Sequence, residues 1–135
     1  MSEENVENAR QAIDAALRGD RTTWLALHDP DCELVPSRLW PEPDVVRGRE
    51  AAWEFYANLI QTLEGFVEPI YVGEAEIVDA GADKLLIHHR HPMGISEAGV
   101  EASSWDVVTF REGRIAREQW FVDHAEALEA AGLSE

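Results

Sequence analysis

Hydrophobic residues recur along this chain with two different periods, and the change of period divides it in half. In residues 3 to 18, Val6, Ala9, Ile13, Ala16 and Leu17 follow helical spacing. Glu3 and Glu4 suit the positive end of that helix, and Gly19 stops it. Asp20 can cap a short second helix carrying Trp24, Leu25, Leu27 and His28, with Asp29-Pro30-Asp31 expected to end it. Glu33-Leu34-Val35 reads as a short strand. Pro36, Pro41 and Pro43 mark residues 36 to 44 as an irregular loop. Gly48 opens a third helix, roughly 49 to 64, closed by Gly65. Its apolar set runs from Ala52, Trp53, Phe55 and Tyr56 to Leu63 and covers more than half the circumference, so burial on several sides is expected.

From there on the pattern is that of strands. Residues 66–78, 84–92, 100–111 and 115–122 are rich in Val, Ile, Phe and Trp. Short turns join them, which implies antiparallel pairing. Asp123, followed three residues later by Glu126, starts a short C-terminal helix, and Gly132-Leu133 ends it in the manner of a Schellman cap. Helices followed by a meander make an α+β pattern in a single domain, residues 1–135. About three N-terminal helices on one face of a curved antiparallel sheet would enclose a pocket.

Charge narrows the partners. Eleven Lys and Arg stand against 27 Asp and Glu, a formal charge of −16, which argues against nucleic acid and against anionic lipid. The polar, acidic first ten residues do not resemble a signal peptide, and no apolar run is long enough to span a bilayer. The expected location is cytoplasmic. Cys32, the one cysteine, has no intramolecular partner for a disulfide. Its neighbours Asp31 and Glu33 disfavour a thiolate.

The order of elements resembles the nuclear transport factor 2-like superfamily, and within it the SnoaL-like (polyketide cyclase-like) group. Ala16-Leu-Arg-Gly-Asp20, His28-Asp-Pro-Asp31, Arg47-Gly-Arg-Glu50, Thr109-Phe-Arg-Glu-Gly-Arg-Ile115 and the C-terminal Asp123 to Leu133 carry the resemblance across nearly the whole chain. It implies a cone-shaped α+β barrel, usually a dimer through the outer sheet face, and a superfamily of isomerases, cyclases, epoxide hydrolases, dehydratases and non-catalytic binders. The carboxylate base of ketosteroid isomerase-like members falls at Pro36, and their phenol at Ala12 or Ile13, none of which can do that work. Their carboxylic acid on the penultimate strand has a match in Asp106. The water-activating Asp of limonene epoxide hydrolase-like members falls at Trp120, and their Arg-x-Asp near Arg90, followed here by His91 and Pro92. SnoaL-type cyclases use an acid/base Asp and often a pocket His, and this chain can supply both.

Strand parity sets out the candidate chemistry. If Asp106 faces the cone, so do Ala102, Ser104, Val108 and Phe110, with Trp105, Val107 and Thr109 outside. The matching inward set on the last strand is Ala116, Glu118, Trp120 and Val122. Asp106 and Glu118 would then share a pocket, leaving one acid and one base. The competing role for Asp106 is an ion pair with Arg90, Arg117 or a pocket histidine, and Glu118 reads better as structural. In His88-His89-Arg90-His91, continuation of Leu85 and Ile87 turns His89 and His91 inward; a phase shifted by one brings in His88 instead. An inward imidazole could act as base or proton shuttle. His-x-His also has metal-ligand spacing, but without clear further ligands no metal and no cofactor is expected.

The catalytic candidates are therefore Asp106, His89 and His91, and the ligand-binding candidates are Trp24, Trp40, Trp53, Tyr56, Ser104, Glu118 and Trp120. Trp40 would be a lid in the proline loop, Trp53 reads as core, and His28 as a cap or core residue. The leading expectation is a protein that binds a small apolar organic molecule, with or without a carbonyl group, in a cone-shaped pocket and runs acid/base isomerisation or cyclisation there. The alternative is a non-catalytic ligand-binding or dimeric interaction module. Outward Trp105, Val107, Thr109 and Phe121 point to a homodimer.

Overall fold

A computed structural model describes residues 2–36, 45–63, 75–92 and 101–133. Helices α1 (Ser2–Arg18), α2 (Arg21–Ala26) and α3 (Arg49–Leu63) come from the first half. Strands β1 (His28–Val35), β2 (Val46–Arg47), β3 (Ala75–Gly81), β4 (Lys84–Pro92), β5 (Glu101–Arg111) and β6 (Arg114–Phe121) form one sheet, and α4 (His124–Ala131) follows. The sheet order is β2-β1-β6-β5-β4-β3. Four helices on this curved sheet give the α+β cone architecture.

The sheet is mixed rather than wholly antiparallel, because β1 runs parallel to β6. β1 is also longer than its Glu33-Leu34-Val35 core. Asp29-Pro30-Asp31 does not close a helix; α2 stops at Ala26, and the strand runs through this segment with a register shift between His28 and Glu33. Asp29 accepts a hydrogen bond from the Asp31 backbone, a local turn that lets a proline sit in an irregular edge. The short β2 pairs with Glu33 and Leu34, an element the sequence pattern did not reveal. Residues 66–74 of the first expected strand lie outside the described residues.

Two clusters sit on opposite faces of the sheet. The larger joins α1, α2 and α3 to the concave face through Ala9, Ala12, Ala15, Trp24, Leu34, Tyr56, Leu85, Ile87, Val108, Phe110 and Ile115. Burial of each larger aliphatic or aromatic side chain there contributes about 1.5–3 kcal/mol. Alanines dominate the buried side of α1, while Leu17 stays exposed. Small side chains keep the first helix from filling the space above the sheet. The second cluster lies on the convex face, where Ala127 and Ala131 of α4 cover Leu86 and Val107. Asp123 caps α4 by accepting from the Ala125 backbone, and Gly132 closes it at φ 79°, with Leu133 donating back to Leu128. The expected alternation on β5 is observed: Asp106, Val108 and Phe110 face the cone, and Val107 faces α4.

On β6 the parity changes once. Thr109 pairs with Arg117 and Phe110 with Ile115, so Ala116 forms a bulge. Ile115 therefore takes the inward place expected of Ala116. Val122, also expected inward, lies beyond the strand and is exposed.

Candidate active site

The concave face of β4, β5 and β6 carries the polar chemistry. Ile87 pairs with Asp106 and His89 with Ser104, so His89 and Asp106 are diagonal neighbours on one face. His89 Nε2 lies 3.0 Å from Asp106 Oδ2. His89 is 4% exposed and Asp106 7%, so the pair is removed from bulk water. The inward phase of His89 is thus settled. His88 points outward and stacks on Trp105 at 4.8 Å, and His124 stacks on Trp105 at 5.0 Å.

Burial is the largest influence on Asp106 and pushes its carboxyl above the ordinary value; His89 pulls against this and Glu118 adds to it. Burial alone would lower His89. The Asp106 carboxylate, through its charge and its hydrogen bond, holds it above the ordinary value instead, with a smaller push from Glu118. Both partners thus bind a proton more tightly than in water, and the pair behaves as one unit. Of the competing roles for Asp106, the histidine pair is the one observed.

A second imidazole–carboxylate pair lies on the β1–β6 side. His28, only 1% exposed, stacks on Trp24 with ring centroids 3.6 Å apart. Its Nδ1 is 2.7 Å from the Trp24 carbonyl oxygen, and its Nε2 is 3.3 Å from Glu118 Oε1. The position of His28 follows from the chain: α2 ends just before it, and its ring reaches back four residues to the last turn. Sequence reading gave His28 a cap or core role and missed this link, because its partner lies 90 residues away on β6. The interval between Trp24 and His28, one helical turn, was the available signal.

The carboxylate of each pair borders one cavity. Ala9, Ala12, Ile13 and Ala16 of α1, Trp24, Tyr56, Ile87, Val108 and Ile115 supply its apolar walls, and Asp106 and Glu118 its acidic groups. It measures about 410 Å³ counted out to its open mouth. The space is a narrow slot. Val108 pairs with Glu118 and Asp106 with Trp120, so Asp106 and Glu118 hold diagonal positions on one face, with backbones about 7 Å apart. A smaller recess reaches past Glu118 to His28 and Cys32, whose thiol is pushed up to about 12, first by burial and then by Glu118. Cys32 is no nucleophile.

The remaining candidates divide. Trp24 and Tyr56 line the cavity. Trp120 packs edge-on against Tyr56 at 5.6 Å and beside Phe55. Trp53 backs Trp24 at 5.3 Å and belongs to the core around the slot. Ser104 is half-buried opposite His89. Trp40 and the side chain of His91 lie outside the described residues. Among the described residues, no group of three or more His, Cys, Asp or Glu side chains could hold a metal ion. Nor, among those residues, is any helix long and apolar enough to cross a membrane.

Comparison with known proteins agrees with this architecture. The SnoaL-like domain family matches residues 9–118. No curated protein matches the sequence significantly. A nuclear transport factor 2-like protein from Burkholderia xenovorans superposes with a TM-score of 0.67 at 24% identity, covering 96% of this chain and 95% of that one. TerC, co-crystallized with polyporic acid, gives 0.66 at 17% identity over 96% and 98% of the two chains. A putative isomerase from Bacillus subtilis gives 0.65 at 17% identity over 96% and 93%.

Proposed function

We propose that this chain, which belongs to the SnoaL-like domain family, binds a small, flat, largely apolar organic molecule bearing a carbonyl group and moves a proton on it by acid/base catalysis. The observation that carries this reading is the buried His89–Asp106 pair at the wall of an apolar slot. Among the described residues Asp106 Oδ2 has His89 as its hydrogen-bond partner, and Oδ1 is left for what enters. With His89 protonated, Oδ1 can take a proton from a carbon beside the carbonyl. The C–H electron pair then moves to the carbonyl oxygen, giving an enolate. Where a carbon–carbon double bond is conjugated with that enolate, return of the proton from Oδ1 to its far carbon restores the carboxylate and completes an isomerisation without oxidant or reductant. The related TerC, crystallised with polyporic acid, supports an organic ligand for this fold.

The second reading is binding without turnover. Ala12 and Ile13 line the slot and bring no phenol to an enolate oxygen, which favours it. One experiment separates the two. Apolar cyclic ketones are incubated with the protein in deuterated water, and hydrogen exchange beside the carbonyl is followed by NMR. Exchange accelerated by wild type and lost in Asp106→Asn supports catalysis; saturable binding with no exchange leaves the binding module.

A further inference from the structure

The His28–Glu118 pair is not used by that proton transfer, and its hydrogen bonds fix its chemistry. A backbone carbonyl can only accept, so the short contact to the Trp24 oxygen places a proton on His28 Nδ1. The contact between Nε2 and Glu118 Oε1 then needs a second proton between them. That proton sits either on Nε2, giving imidazolium and carboxylate, or on Oε1, giving imidazole and carboxylic acid. Both arrangements carry zero net charge. In both, Glu118 Oε2 bears no proton and is an acceptor. Among the described residues Glu118 has His28 as its hydrogen-bond partner, and its side chain lines the slot. Among the described residues no protein donor reaches Oε2, so a donor brought by a ligand would take the place of water there, a hydrogen bond to a charged group being worth about 1.5–3 kcal/mol.

We infer that Glu118 is a specificity-determining residue that accepts a hydrogen bond from a hydroxyl group of the ligand, and that His28 is the positioning residue that keeps it an acceptor. The rest of the site fits. The net-neutral pair calls for a neutral donor rather than an ammonium group. Trp24 clamps the imidazole from one face, so the ring cannot turn to offer Nδ1 instead. Asp106 and Glu118 stand at diagonal positions on the same face, so one ring system can meet both. The ligand class becomes a hydroxyl-bearing cyclic carbonyl compound, its reacting carbon at Asp106 and its hydroxyl at Glu118. This rests on the cavity reading given above and adds the second contact.

The test compares two probes, 6-hydroxy-1-tetralone and 6-methoxy-1-tetralone, which share a carbonyl and ring system but differ in the ability to donate. Wild type is expected to bind the hydroxy probe about tenfold more tightly, the value of one hydrogen bond in a buried site. Glu118→Leu should abolish this preference. Glu118→Gln should restore most of it, since its amide can donate to His28 Nε2 and turn its oxygen to the slot. His28→Phe, checked for folding by its melting curve, should shrink the preference. Equal binding of the two probes by wild type, or a preference that survives in folded Glu118→Leu, would overturn the inference and leave the cavity reading standing. Failure of both probes to bind would overturn both. A check that needs no variant is nitrogen NMR of ligand-free wild type: an unprotonated Nδ1 on His28 would also overturn the inference.

Discussion

His89 and Asp106 meet on a diagonal across β4 and β5, two residues out of direct register, with Nε2 and Oδ2 3.0 Å apart. That offset matters. A directly opposed pair would point both side chains straight up from the sheet, whereas the diagonal lets the imidazole lean over and support one carboxylate oxygen. The other oxygen stays available to the slot. The sheet thus does for this pair what α2 does for His28 and Glu118: it fixes the imidazole first and leaves a carboxylate half-satisfied.

Asp106→Asn should separate support from chemistry. The amide is isosteric and can still hydrogen-bond to a neutral His89, so the fold should survive with a loss of about 1 kcal/mol. His89→Ala instead leaves the carboxyl buried without its partner and should cost more, about 3–5 kcal/mol. Thermal unfolding of both variants checks the ranking. A large loss in Asp106→Asn with ligand binding intact would make the residue purely structural.

The C-terminal helix supports the back of the same strands through Leu86 and Val107. Asp123→Ala removes the cap on the Ala125 N–H and should cost about 1 kcal/mol. Gly132→Ala has open space for its methyl group, so its penalty, also about 1 kcal/mol, comes from the positive φ alone. Neither change touches the slot. Denaturant melts should show additive losses, and the hydroxy-to-methoxy preference should be unchanged in both.

Much of this was legible because periodicity reports burial directly. Alternation tied Asp106 to the face of Val108 and Phe110, and His89 to that of Leu85 and Ile87, leaving a phase shifted by one, with His88 inward, as the alternative. Turn and cap residues such as Gly19, Asp20, Asp123 and Gly132 are local, and they appear where their chemistry put them. What escaped was non-local. The parallel pairing of β1 with β6 leaves no trace in short turns, so the approach of His28 to Glu118 was invisible. The bulge at Ala116 shifts one register step that alternation cannot anticipate, which is why Ile115 replaced it in the wall. Proline in Asp29-Pro30-Asp31 signalled a break in helix, and the chain answered with an irregular strand instead.

The outer face bears on assembly. Val107, one of the residues expected at a dimer interface, is covered by α4 of its own chain, while Trp105, Thr109 and Phe121 remain partly exposed. A homodimer through this face would bury those three together with the adjoining surface of α4. Sedimentation velocity at micromolar concentration should then give about twice the 15.1 kDa chain mass. A species of single-chain mass would mean that α4 alone suffices to cover the face.

The pH dependence of stability tests the His89–Asp106 pair as a proton-binding unit. Its sign follows from the directions. His89 is held above its ordinary 6.5 and Asp106 above its ordinary 3.8. A group whose pKa is higher in the folded than in the unfolded chain stabilises the fold fully below the unfolded value. That contribution is lost as pH rises through the folded value. For both groups the loss therefore runs in the same direction, toward alkaline pH, beginning near 3.8 for Asp106 and near 6.5 for His89. General repulsion in a chain of charge −16 also grows with pH, so the wild-type melting curve alone is not diagnostic. The diagnostic quantity is the difference in Tm between wild type and the double variant His89→Gln, Asp106→Asn, which retains the shape and lacks both titrations. That difference should shift against wild type as the pH is raised from about 5 to about 9. A difference that stays constant, or moves in favour of wild type, would show that the pair binds no extra proton in the folded state, and the acid/base role of Asp106 would lose its physical basis.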